Sequence, residues 1–209
     1  MIADMVASRS LSPYQRSSVQ EEFTELIERL NELYRKHLRA KFVITLGDEF
    51  QGLLQNPEII PDLIWTLEQL FTARELRLGF GFGDIYTSVK DYAINVDGPA
   101  FHSARSSLEA AKKRKLKGGV FTGFGPTLDP ALNGLARVLH HQRDTWPTRQ
   151  RQVVKRLHDK RKGTDIAQEL GITKQAVSRY ASLAGWEAYI EAEQGWSTLL
   201  RALAGEGRP

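Results

Sequence analysis

Phe42-Val43-Ile44-Thr45-Leu46-Gly47-Asp48-Glu49-Phe50-Gln51-Gly52-Leu53-Leu54 is the stretch whose reading settles the fold of the first half of the chain. Two short apolar runs, 42–46 and 50–54, flank Gly47-Asp48-Glu49, the pattern of a β-hairpin. Before it, Ser12-Pro13-Tyr14-Gln15 is a helix start, with Ser as N-cap, Pro in the first turn and Gln three residues on. Val19, Phe23, Leu26, Ile27, Leu30, Leu33 and Leu38 then recur at helical spacing, so one helix is expected over about 13–39. After the hairpin, 59–71 reads as helix and 76–82 as strand, with glycines at 79, 81 and 83 permitting close backbone approach. A helix following Asp97-Gly98 is expected to run into the basic segment 112–117 and stop at Gly118-Gly119. A strand at 120–122 and a helix at 129–143 complete the pattern. Strands and helices alternate, so an α/β or α+β sandwich is expected for 1–144.

Composition narrows the possibilities. The chain has 209 residues, 41% hydrophobic and 26% charged, values that exclude a disordered or collagenous chain. It has no cysteine, which excludes disulfide frameworks, thiolate zinc sites and cysteine nucleophiles. No apolar run approaches the roughly 20 residues of a membrane helix. No signal-peptide layout opens the chain, so no membrane partner and a cytoplasmic location are expected. The net charge of +4 is unevenly placed: residues 145–209 hold 11 basic and 7 acidic side chains, while 1–144 hold 18 of each. Within 145–185 the count is 9 against 3, which points to an anionic partner for that segment. A second, all-helical domain is expected over 145–209, entered through Thr145-Trp146-Pro147-Thr148.

The best local signal in that domain is Thr164-Asp165-Ile166-Ala167-Gln168-Glu169-Leu170-Gly171-Ile172-Thr173-Lys174-Gln175-Ala176-Val177-Ser178-Arg179-Tyr180. Ile166, Ala167 and Leu170 give a short helix an apolar face, and Gly171 supplies the left-handed residue that ends it. Thr173 caps a second helix whose Val177 returns to the core. Val153, Val154 and Leu157 belong to a supporting helix. This pattern resembles the helix-turn-helix of bacterial regulators. The resemblance implies double-stranded DNA as partner. It makes Lys174, Gln175, Ser178 and Arg179 candidates for base or phosphate contacts, and Thr173 for a phosphate contact at the helix N-terminus. A helical bundle used for docking is the plainer alternative.

Three motifs of the first domain occur in a telling order. Asp4 precedes Met5-Val6-Ala7-Ser8-Arg9; Gly47-Asp48-Glu49-Phe50 sits in the hairpin; Asp97-Gly98-Pro99-Ala100-Phe101-His102-Ser103-Ala104-Arg105 opens a helix. The set resembles the class III nucleotidyl cyclases, which implies an α+β fold with a ferredoxin-like, palm-like antiparallel sheet and helices, and its hairpin matches that of the diguanylate cyclases. The overall match is to the SatD-type family, whose members carry similar starts, hairpins and Asp-Gly-Pro-Ala-Phe stretches. The resemblance covers about 1–125. It implies Asp4, Asp48 and Glu49 as ligands of magnesium (or manganese), and Met5, Val6, Ala7 and Ser8 as a phosphate cradle. It further implies catalytic-type roles for His102 and Arg105, and a homodimer. Ile44 stands where the cyclases have their purine-reading lysine, and His102 where they have asparagine.

Two functions follow as expectations. One is a DNA-binding transcriptional regulator whose cyclase-like domain senses a nucleotide with a metal. The other is an active nucleotidyl cyclase or nucleotidyltransferase using two metal ions, the helix-turn-helix serving as a localising module. A pair of interaction scaffolds is the third, plainer reading, in which Asp48-Glu49 is a solvated turn and Arg105 pairs with a neighbouring acid.

Overall fold

A computed structural model describes residues 1–8 and 12–206. The chain divides into two units, Met1–Arg137 together with the segment from Trp196 onward, and Val138–Gly195. The first unit is built on a five-stranded sheet of β1 (Ile2–Met5), β2 (Leu38–Leu46), β3 (Glu49–Leu54), β4 (Leu76–Gly81) and β5 (Val120–Thr122). The spatial order is β2-β3-β1-β4-β5. Pairings β2–β3, β3–β1 and β1–β4 are antiparallel, but β4 and β5 run parallel. The sheet is thus mixed, not the antiparallel sheet that the cyclase resemblance implies. Between β4 and β5 the chain passes through a helix, and such a crossover brings the next strand in with the same direction.

That crossover helix is α3 (Pro99–Arg114), which lies on one face of the sheet, while α1 (Pro13–Leu33) and α2 (Ile60–Leu70) cover the other. Strand alternation sorts the side chains between them. Phe50 points to α1, where Phe23 meets it edge-on at 5.7 Å, and Glu49 and Gln51 point to the α3 side. The capping box at Ser12 and Gln15 forms as the sequence indicates. α1 stops at Leu33, short of the expected 39, because Leu38 already belongs to β2. α3 stops at Arg114, ahead of Gly118-Gly119, because Lys115 itself takes the left-handed conformation at φ 52°.

Gly79 and Gly81 let α3 lie directly on β4: a Cβ at Gly81 would fall 2.2 Å from the carbonyl oxygen of Ala100. Both edge strands are closed by an asparagine. Asn31 of α1 holds the N–H and C=O of Phe42 in β2 at 2.8 and 2.9 Å. Asn133 of α4 (Leu128–Thr145) does the same for Phe121 in β5 at 3.0 and 2.8 Å. Exposed strand edges invite pairing with other chains; the Asn133 amide occupies backbone groups of β5, and β2 is also bridged at Lys41 by Asp91 and Ala93.

The second unit contains α5 (Thr148–His158), α6 (Gly163–Leu170) and α7 (Lys174–Leu183), with the first part of α8 (Trp186–Glu206). Val153, Ile166, Ala167 and Val177 form its core, with Leu157, Leu170, Ile172 and Tyr180 packed around them. Gly171 adopts φ 63° between α6 and α7, and the Thr173 hydroxyl accepts from Ala176 N–H at 3.1 Å. Among the described residues no helix is long and apolar enough to cross a membrane.

Candidate functional site

β1 and β3 bring two of the expected acids side by side: Asp4 and Glu49 are directly opposed in the antiparallel register. The third, Asp48, lies in the two-residue turn between β2 and β3, and its carbonyl accepts from Met5 N–H at 2.8 Å. The three acids therefore meet at the end of β1, on the α3 side of the sheet for Asp4 and Glu49.

Arg105 is expected at the site from the sequence, but the two other cations placed among these acids are not. Arg77, opposite Asp4 on β4, has Nη1 3.8 Å from Asp4 Oδ2, and Lys112 Nζ lies 3.4 Å from the same oxygen. Arg105 clasps Glu49 through both guanidinium nitrogens, Nη2 to Oε1 at 2.8 Å and Nη1 to Oε2. Thr45 adds a donor to Glu49 Oε1 at 3.2 Å. Lys112 was visible in principle, since it follows Arg105 by seven residues and so shares its helix face. Arg77 was not, because only the strand order puts it beside Asp4.

These surroundings set the charges. Burial pushes the Asp4 carboxyl above the usual carboxylate range; Lys112 and Arg77 pull it back, and the charge of Asp48 adds to the push. Burial also opposes the charge on Glu49, but the hydrogen bonds and charge of Arg105, with Thr45 and Lys112, outweigh it and hold that carboxyl low. Arg105 is correspondingly held in its charged form by Glu49. Asp4 and Glu49 thus face three side-chain cations.

Asp48, half-buried, keeps a simpler environment. Its Oδ2 accepts a hydrogen bond from the Ser8 hydroxyl. Both residues line a cleft of about 200 Å³ that Arg16 and Gln20 of α1 complete. Of the expected phosphate cradle, Met5 N–H is bonded to Asp48 and Val6 N–H to the Glu75 carbonyl at 2.8 Å. Ala7 turns the chain at φ 57°, presenting Ser8 to Asp48. Arg9 lies outside the described residues.

His102 lies one turn before Arg105, exposed, with Nε2 3.1 Å from Asp97 Oδ1. It is not among the partners of the three acids. For a magnesium or manganese ion the donor set gives a divided answer. Carboxylate oxygens suit these hard cations, but both Glu49 oxygens are committed to Arg105 and Thr45. Asp4 Oδ2 also faces two cations, and Asp48 Oδ2 accepts from Ser8, so Asp4 and Asp48 are the acids that would hold an ion only by exchanging these partners. Among the described residues no cluster of three or more His, Asp or Glu side chains is disposed to hold a metal.

On α7, Lys174, Gln175, Ser178 and Arg179 are all exposed, while Val177 of the same helix is in the core. Thr173 is exposed as well, its hydroxyl engaged in the cap. Ahead of α6, Lys160, Arg161 and Lys162 form an exposed basic turn that the sequence reading passed over. Arg161 pairs with Glu169 at 3.5 Å, and Arg156 with the same residue at 2.7 Å.

The model of the SatD family matches residues 1–200 of the chain. No curated protein and no solved structure matches it.

Proposed function

The chain belongs to the SatD family, and from that premise we propose that it is a DNA-binding transcriptional regulator. Its second unit grips double-stranded DNA through a helix-turn-helix, and its first binds a nucleotide with magnesium or manganese. The observation that carries the DNA reading is the exposed row Lys174, Gln175, Ser178 and Arg179 on one side of α7, with Val177 of the same helix anchored in the core. Side chains of these types recognise phosphates and base edges in the major groove. The segment 145–185 also carries the basic excess of the chain.

Support for the nucleotide reading comes from the charge-matched cluster beside the Ser8–Asp48–Arg16 cleft. Asp4 and Asp48 would hold the metal ion. Arg16 and Lys112 suit the phosphates, each being a cation close to those acids. Catalysis by a nucleotidyl cyclase takes second place, because Arg105, the group assigned to charge developing on the triphosphate, is engaged by Glu49.

The test of the DNA reading is fluorescence anisotropy with a labelled duplex over a range of salt. Affinity is expected to fall steeply as salt rises, each lost phosphate contact lowering the logarithmic slope by about one. Arg179→Ala and Lys174→Ala are expected to weaken binding several-fold. Salt-independent binding, or full affinity in both variants, removes the proposal.

A further inference from the structure

A second cavity, of about 330 Å³, opens at the end of the sheet away from the acid cluster. It lies where β3 and β4 continue past their last pairings with β1, Ile2↔Gln51 and Ile2↔Gly79. Leu53 and Leu54 line one side, Phe80 and Phe82 the other. Phe124 also lines it and stacks on Phe82 at 5.2 Å, with the ring planes 27° apart. Phe82 lines the cavity and remains 37% exposed, so part of this ring is open to water. Parallel aromatic rings of this kind accept a further flat ring by offset stacking.

The charge of the lining is one-sided. Among the described residues that line it there is no carboxylate, and Arg39 supplies the one charged side chain. Arg39 is exposed on β2, so its guanidinium is available to an incoming anion without first breaking a buried pair. Guanidinium binds carboxylate through two parallel hydrogen bonds. Pockets for small molecules are mostly apolar, with a few polar groups that orient the ligand, and this volume lies at the small end of their range.

We propose that this cavity binds a small aromatic carboxylate, its ring against Phe82 and Phe124 and its carboxylate on Arg39. Neither Asp48 nor α7 takes part, so the site stands apart from the nucleotide and DNA readings.

The probes are 2-naphthoate and its uncharged counterpart 2-naphthamide, titrated into the full chain by calorimetry. Naphthoate is expected to bind saturably, one per chain, and about tenfold more tightly than the amide, the strength of one charge-assisted contact. Arg39→Gln, at an exposed position, should remove that preference and leave the amide affinity unchanged. Phe82→Ala should weaken both probes, and Asp48→Asn neither. Absence of saturable naphthoate binding, equal affinities for the two probes in the wild type, or retention of the preference in Arg39→Gln overturns the proposal. So does an unchanged affinity for both probes in Phe82→Ala, or a loss of naphthoate binding in Asp48→Asn.

Discussion

Glu49 shows how one residue can be committed by its neighbours. Its carboxylate is nearly buried and satisfied by Arg105 and Thr45, so removing its charge takes from the Arg105 guanidinium the acid that holds both of its terminal nitrogens. Glu49→Gln is expected to cost about 2 kcal/mol at neutral pH, scaled down from a fully buried pair because Arg105 is partly solvated. The sign with pH is fixed by the lowered carboxyl. Its stabilisation is complete above the unfolded value and is lost as pH falls through the folded one. The difference in thermal midpoint between wild type and variant should therefore shrink as pH drops below the ordinary glutamate range, and a constant difference would contradict the pairing. Asp4 has the opposite bias. Burial disfavours its charge, so a bound cation would relieve a cost that the free protein carries.

At the scale of elements, the site depends on how closely α3 rests on β4. Arg105 and Lys112 reach Glu49 and Asp4 only from a helix seated on the glycines of β4. Gly81→Ala would place a methyl 2.2 Å from both the Ala100 oxygen and the Ala104 nitrogen, backbone atoms that cannot rotate away. The variant is expected to lose about 3 kcal/mol or more, read as a fall of roughly 10 °C in a thermal melt. A midpoint unchanged within 2 °C or so would show that α3 is not seated as described. The glycine spacing 79, 81, 83 announced a close approach, but not which helix made it. In the same way, Ser12, Gly171 and Thr173 marked helix ends correctly because caps are made by residues three or four apart.

For the whole molecule, the proposed regulator implies coupling between two activities. Nucleotide with magnesium should raise the thermal midpoint and change DNA affinity, and by linkage DNA should change nucleotide affinity by the same factor. Both effects are expected to vanish in Asp48→Asn, while DNA binding without nucleotide persists. Thermal shift and anisotropy with each nucleoside triphosphate provide the measurement; DNA affinity indifferent to every nucleotide would separate the two halves functionally. A homodimer is part of the same proposal, since paired helix-turn-helix units read half-sites about 34 Å apart.

The sequence by itself determined where most helices begin, the caps at Ser12, Gly171 and Thr173, the hairpin at 42–54 and the core of the second unit. Those features rest on residues a few positions apart, whose periodicity and turn chemistry act locally. It also named the three acids of the site. Only the tertiary structure decided that β5 lies parallel to β4, that Arg77 faces Asp4, and that Arg105 answers Glu49, 56 residues away. It alone revealed the aromatic cavity with Arg39 at the other end of the sheet. Strand order and helix seating are set by which apolar surfaces fit against one another, and that fit leaves no periodic trace along the chain.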